Sequence, residues 1–391
     1  MSPSAGLAGG EALLDDVSRL EAGDPAGMLP AVASGAAQVR EAATLAAEAG
    51  VASLVTDGRP RAVVVCGMGG SGIAGDVLSA VAGTGCPVPI TTHRGYGLPA
   101  WVGPVDLVVV VSCSGSTEET LSALEEAVRR GCRLLVVGRS GSPVDDLGQR
   151  GRAVFVPVTQ GRQPRASVWA LSTPLIVAGH ALGLLAAPPE AVEQAAVVLE
   201  RIADRCRPDA ETMVNPAKRL ALDLDGTLPV LWGTSPMLGT AAYRFACQLN
   251  ENAKVPATWG VLPEANHNQV VAFDGPFAGS VGKSGDDFFR DRGDDLDVAA
   301  RLVLVLLRDT EEQPQVARRA DVSVELARER DVPVVQLLAE GDSSFARLAS
   351  LVGLADYATT YLALLQGIDP TPVEAITSLK QRIITAPART T

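Results

Sequence analysis

Apolar, β-branched runs alternate with helical patterns along most of this chain, and two of the runs end in loops of small residues. Val63-Val64-Val65-Cys66 leads into Gly67-Met68-Gly69-Gly70-Ser71-Gly72, and Val108-Val109-Val110-Val111 into Ser112-Cys113-Ser114-Gly115-Ser116-Thr117. A continuous Val run is what a strand buried on both faces of a parallel sheet requires. The pattern predicts strands at 61–66, 88–92, 107–111, 133–137 and 153–158, with helices at 73–81 and 117–130. Residues 11–50 read as helices broken at Asp24-Pro25. The helix at 117–130 is expected to open on a Ser116/Glu119 capping box. It should carry Leu121, Leu124 and Val128 on one face and close at Arg129-Arg130-Gly131.

Helical pattern resumes at 167–186 and 189–203, and then the theme restarts. Leu228 to Gly239 again reads strand, Gly/Ser/Thr turn, helix. Further strands follow near 257–259, 301–307 and 332–337, and a long amphipathic helix at 344–365. Such alternation predicts an α/β fold of doubly wound parallel sheets with helices on both faces. It occurs twice. The expected organisation is a helical segment at 1–60 packed on a first α/β domain at 61–200, then a second at 201–391. The polar stretch Gly279–Asp295 reads as an exposed loop.

A chain of 391 residues has room for two full cores. The net charge of −12 argues against nucleic acid or an anionic membrane as partner. Six cysteines without a CxxC pair or metal-like spacing read as buried free thiols in a reducing compartment. The first 26 residues lack the basic start and apolar segment of a signal peptide, and no run of about 18 apolar residues suggests a membrane span. A cytoplasmic location is expected. Lys218, Lys254, Lys283 and Lys380 are the only lysines, so each one in a polar motif carries weight.

The helix that follows a small-residue loop offers unpaired N–H groups and a positive dipole end, which together suit an anion. Gly67–Gly72 matches G-x-G-x-x-G, but a dinucleotide fold needs an acidic residue at the end of the next strand. That strand ends Ile90-Thr91-Thr92-His93-Arg94, without one. Ser112, Ser114, Ser116 and Thr117 supply more hydroxyls than capping explains, and uncharged donors suit a compact phosphomonoester. The richest polar cluster is Gln248–Lys254 followed by Pro263–Asn268. Glu251 ends a helical run (239–249) whose dipole is expected to raise its proton affinity toward that of a general base. His267, between two asparagines, is placed for acid–base work, whereas His180 sits in an apolar helix and reads as a packed core residue. His93 ends a strand and stays ambiguous. Arg162 and Arg165 offer guanidinium groups ahead of a helix. Thr371-Pro372-Val373-Glu374 reads as a helix start with its own capping box, and Lys380 as a solvated helix residue.

Together these motifs resemble the sugar isomerase (SIS) superfamily, and within it the bifunctional phosphoglucose/phosphomannose isomerases. The resemblance spans GMGGSGIAGD at 67–76, SCSGSTEET at 112–120, QPR at 163–165, NENAKVP at 250–256, EANHNQV at 264–270 and DPTPVEAI at 369–376. It implies aldose–ketose isomerisation of a hexose 6-phosphate through a cis-enediol, with no metal and no cofactor. It assigns phosphate binding to Ser112, Ser114 and Thr117, assisted by Gly69, Gly70 and Ser71. Glu251 matches the family's base, His267 the histidine of ring opening, and Arg165 the arginine that stabilises the enediolate. Thr371 matches the threonine linked to the mannose epimer, and Lys380 the family's late lysine. The resemblance also implies a homodimer with sites at the subunit contact, so that His267 could serve the neighbouring chain. Cys113 and Ser116 replace an aromatic and an Asn usual in the family, which bears on substrate preference. A non-catalytic phosphosugar sensor is the alternative, and a ketol-isomerase for another phosphosugar a third reading. Glu251 and His267, which a sensor would not need, favour the enzyme.

Overall fold

The computed structural model describes residues 3–279 and 301–385, so the expected exposed loop at 279–295 lies outside the described residues apart from Gly279. Four helices open the chain: α1 (Pro3–Asp15), α2 (Val17–Gly23), α3 (Met28–Ala33) and α4 (Gly35–Glu48). The break at Asp24-Pro25 is real. Asp24 accepts hydrogen bonds from Met28 N at 2.7 Å and Leu29 N at 2.8 Å, ordering the start of α3. Then come β1 (Val63–Cys66), α5 (Gly70–Ala82), β2 (Ile90–His93), β3 (Leu107–Ser112), α6 (Glu118–Arg129), β4 (Arg133–Gly138), α7 (Pro143–Arg150) and β5 (Val154–Pro157). All pairs are parallel, in the order β2-β1-β3-β4-β5.

The helices α8 (Val168–Ala181), α9 (Pro189–Arg205) and α10 (Pro216–Leu224) lead to the second sheet. Its elements are β6 (Thr227–Gly233), α11 (Pro236–Gln248), β7 (Thr258–Val261), β8 (Arg301–Arg308), α12 (Pro314–Glu329) and β9 (Val334–Leu338). The strands are again parallel, ordered β7-β6-β8-β9. The chain closes with α13 (Ser344–Leu365) and α14 (Glu374–Thr385). The doubly wound α/β expectation therefore holds, twice over.

Within each apolar strand, alternate residues serve different cores, as the two-residue period demands. Val63, Val65, Val109 and Val111 face a large core that also takes in Leu231, Val303, Val305 and Leu307 of the second sheet. Val64, Cys66, Val108 and Val110 face the opposite side, toward α6 and α7. The helices α4, α5, α8, α9, α10, α11 and α13 form the shared layer between the sheets. Because α5 and α6 leave neighbouring strands β1 and β3 toward opposite faces, the two small-residue loops meet at the switch point where such sheets bind ligands.

Several local expectations change. The helix expected from Ile73 begins at Gly70, so Gly70 and Ser71 lie in its first turn. The long helix is not amphipathic: α13 is buried on almost every face because it runs through the shared layer. It is long and apolar enough by length and composition to cross a membrane, yet 94% of its most apolar window is buried inside the protein. Its polar residues Arg347, Ser350, Asp356, Thr359 and Thr360 are buried with it. His180 ends α8 exposed rather than packed in the core, with its ring beside Leu185 O at 3.4 Å. The sequence pattern gave no sign of α7, α10 or α12.

Candidate active site

Neither loop helix is capped by a side chain. Gly69 precedes α5 at φ +52°, and Thr117 precedes α6. The expected Ser116/Glu119 capping box is absent, because Ser116 is exposed and its N–H reaches back to Ser114 Oγ at 3.4 Å. The loops touch where Cys113 N donates to Ser71 Oγ at 3.2 Å. Inside the second loop Gly115 N donates to Ser112 Oγ at 3.1 Å, and the Ser114 and Thr117 hydroxyls lie 3.3 Å apart. Gly115 has φ +74°, and a Cβ there would lie 2.2 Å from Ser142 Oγ, so the tight return requires glycine. Two uncapped N-termini beside each other, ringed by hydroxyls, form an anion cradle.

A short turn at Pro164–Ala166 borders this cradle. A Cβ built on Gly70 would lie 3.8 Å from the Pro164 carbonyl oxygen. The next residue, Arg165, has a side chain only 12% exposed and bonds to two segments distant in sequence. Its Nη1 donates to Glu251 O at 2.8 Å, Asn252 Oδ1 at 2.8 Å and Pro370 O at 2.7 Å, and its Nη2 donates to Thr371 O. Its Nε lies 3.6 Å from the Glu251 carboxylate, whose side chain is 31% exposed. Glu251 does not simply end α11: it sits in a π-turn at Leu249–Ala253 that continues the helix. Widened turns of this kind recur at functional sites. Its nearest charge is thus the Arg165 guanidinium, not a helix terminus.

The neighbours of Glu251 are firmly held. Asn252 is buried and donates Nδ2 to Thr359 Oγ1 on α13 at 3.1 Å. Lys254, at φ +60°, donates Nζ to Glu251 O at 2.6 Å and to Pro372 O at 2.9 Å. Burial lowers the proton affinity of Arg165, with the Glu251 and Asp369 carboxylates opposing it. Burial also lowers that of Lys254, and the Arg165 charge adds to the effect. Arginine remains charged regardless. Lys254 is not among the expected site residues, although it lies in the polar cluster Gln248–Lys254 and is one of only four lysines.

Thr371 lies at the cluster, but not as a cap. Its N–H donates to Asp369 Oδ1 at 2.9 Å, α14 starts only at Glu374, and its hydroxyl is buried without a hydrogen-bond partner. A buried hydroxyl with no partner beside a cation and a carboxylate is an exception to the rule that buried polar groups are hydrogen-bonded. Lys380 is exposed on α14. His267 is not brought to this cluster. It ends a short turn (Glu264–His267) beyond the edge strand β7, is exposed, and makes no hydrogen bond among the described residues. Arg162, the other arginine of its motif, is tied to Glu41 instead. Among the described residues no group of three or more His, Cys, Asp or Glu side chains is placed to hold a metal ion.

Comparison with known proteins places this arrangement in context. Residues 213–383 match the bacterial phospho-glucose isomerase C-terminal SIS domain. A bifunctional phosphoglucose/phosphomannose isomerase of Caldicellulosiruptor bescii is 32% identical over 321 residues, covering 82% of this chain and 89% of that protein. Its counterpart in Aquifex aeolicus is 30% identical over 324 residues, covering 83% and 90%. In fold, the chain is similar to a glucose-6-phosphate isomerase from Chlamydia trachomatis, with a TM-score of 0.67 at 15% identity, covering 96% of this chain and 85% of that one. With an anion cradle, a carboxylate and a guanidinium assembled on a doubled α/β scaffold, the chain belongs to the bifunctional phosphoglucose/phosphomannose isomerase family.

Proposed function

We propose that this protein interconverts glucose 6-phosphate and mannose 6-phosphate with fructose 6-phosphate, using Glu251 as the base. The observation that carries the reading is the contact between Arg165 and Glu251: one guanidinium fixes the base's peptide and stands 3.6 Å from its carboxylate. The phosphate sits on Ser71, Ser112, Ser114 and Thr117 with the N-termini of α5 and α6, as the uncapped N–H groups favour. That grip, remote from the reacting carbons, orients C1 and C2 of the open chain against Glu251. The carboxylate takes the proton from C2 of the aldose, leaving an enediolate; the hydroxyl proton passes from O2 to O1, and the carboxylate returns its proton to C1 to give the ketose. Arg165 is the cation that stabilises the developing charge. Thr371, its hydroxyl free of protein partners, contacts the sugar near the carbon that differs between epimers, and Lys380 approaches from α14.

His267 lies away from the cluster within one chain, and this favours its serving ring opening in the site of a second chain. Ile376, Leu379 and Ile383 on α14, 41%, 58% and 60% exposed, form an apolar stripe of the kind such a homodimer covers. The chain is read as two SIS domains divided near 200, within α9, with the helical segment at 1–60 meeting both: α4 packs on α8 and α9, and Asp15 at the end of α1 pairs with Lys218 on α10 at 3.3 Å.

Incubation with each hexose 6-phosphate, with fructose 6-phosphate followed in a coupled assay, tests the activity. Glu251→Gln should lower kcat by about 10²–10⁴-fold while phosphosugar binding is retained. Turnover undiminished in that variant would remove Glu251 as the base. Binding without turnover in the unmodified protein would favour a sensor.

A further inference from the structure

The turn that presents Arg165 is gripped by two buried side chains from distant parts of the chain. Arg244 on α11 is 2% exposed, and its Nη2 donates to Arg165 O at 2.8 Å and to Asp356 Oδ2 on α13 at 2.7 Å. Asp356 is 3% exposed, so this is an ion pair in the shared helical layer. On the other side, Gln38 of α4, 1% exposed, donates Nε2 to Ala166 O at 2.7 Å.

Stability alone does not account for the pair. A buried ion pair of this kind is commonly matched or bettered by apolar packing, because desolvation offsets its attraction. This one is also incompletely satisfied, since Arg244 Nε is buried without a hydrogen-bond partner. What the pair does supply is geometry. Arg244 and Glu251 lie about two turns apart on one helical path, α11 and its π-turn. That path therefore holds Arg165 at both ends: Arg244 takes its main-chain carbonyl, and the Glu251 peptide takes its guanidinium.

We infer that Arg244, braced by Asp356, is a positioning residue that sets the distance between the Arg165 guanidinium and the Glu251 carboxylate. It reaches neither the phosphate cradle nor the reacting carbons, and it acts through the carbonyl of Arg165. This inference rests on the reading of Arg165 as the cation that faces the enediolate.

The test compares two phosphosugar inhibitors. 5-Phospho-arabinonate carries a carboxylate where the enediolate charge develops, and sorbitol 6-phosphate carries none. In Arg244→Lys, whose shorter side chain does not reach the position of Nη2, kcat and affinity for the arabinonate should each fall about tenfold, since small misplacements of catalytic groups are costly. The KM for fructose 6-phosphate and the affinity for sorbitol 6-phosphate should change less than about threefold, because the cradle is untouched. Asp356→Asn, which keeps an acceptor for Arg244 and the volume of the site, should move the same quantities in the same direction by a smaller factor. It decides the matter if Arg244→Lys does not fold. Equal losses for both inhibitors, or no loss in the folded variants, would overturn the inference. Arg165→Lys separates it from its premise. If that variant still prefers the arabinonate as the unmodified protein does, the role given to Arg165 fails. If it loses the preference while Arg244→Lys keeps it, only the positioning role fails.

Discussion

Arg165 illustrates how little room single residues have in this site. Its Nη groups are committed to carbonyl and amide oxygens on two segments, leaving Nε toward the Glu251 carboxylate. Lysine has one point of charge and cannot replace that planar fork. Away from the site, burial governs the thiols. Cys66 and Cys206 are both buried, and desolvation pushes each from 9.0 up to about 12. A proton held more tightly in the folded state stabilises fully below the unfolded value and is lost as pH rises through the folded one. Stability should therefore fall between about pH 9 and 12, by about 1.4 kcal/mol per pH unit for each thiol. Thermal melts across that range should steepen in the unmodified protein and flatten in the Cys66→Ala/Cys206→Ala variant. Parallel curves would show that these thiols do not drive the loss.

At the scale of elements, the two halves repeat a scaffold but not a site. The strand pair β6 and β8 corresponds to β1 and β3, and α11 to α5. Yet α11 is capped by its own Ser235, whose Oγ accepts from Leu238 N at 3.2 Å, where α5 has no cap. The turn after β8 carries Asp309, Glu311 and Glu312 instead of serines. Asp309 N donates to Thr234 Oγ1 at 3.1 Å, and Arg347 bridges Asp309 at 2.8 Å and Glu311 at 2.7 Å. Internal carboxylates thus stand where a phosphate would, and they repel one. Calorimetric titration with fructose 6-phosphate should give one site per chain. Two sites of similar affinity would contradict this account of the second half.

At the scale of the molecule, one helical layer packs against both sheets, and Arg165 of the first half meets Glu251 of the second across it. His267 lies outside that arrangement, and the proposed function has a second chain bring it in. Mixing inactive His267→Ala and Glu251→Gln chains tests this directly. If sites are shared across a two-fold contact, random pairing should restore about a quarter of the unmodified activity. No recovery after verified subunit exchange would place both groups in one chain's own site.

Local pattern revealed the strands and both loops because burial on two faces leaves a Val run, and tight turns demand Gly, Ser and Thr. It did not reveal α12, whose buried side is only Ala320, Ser323, Val324 and Ala327 on a charged helix. It misread α13, where apolar and polar residues mix because the helix is enclosed on every side and its polar groups find buried partners. The family motifs pointed to Arg165, Glu251 and Thr371 and took in Lys254, but not Arg244 or Gln38. Those two act through contacts that no local spacing encodes: Arg244 bonds to residues 79 and 112 positions away, and Gln38 to one 128 away.

By itself, then, the sequence determined the strand–loop–helix units and the chemistry of their loops, since periodicity and turn preference act over a few residues. Only the tertiary structure decided that the two small-residue loops of the first half lie side by side at uncapped helix starts, while the carboxylates after β8 pair with Arg308 and Arg347. It alone joined the Arg165 guanidinium to the Glu251 carboxylate and left His267 beyond the edge strand β7. These outcomes depend on which distant segments share the helical layer, and that is settled by packing, not by local pattern.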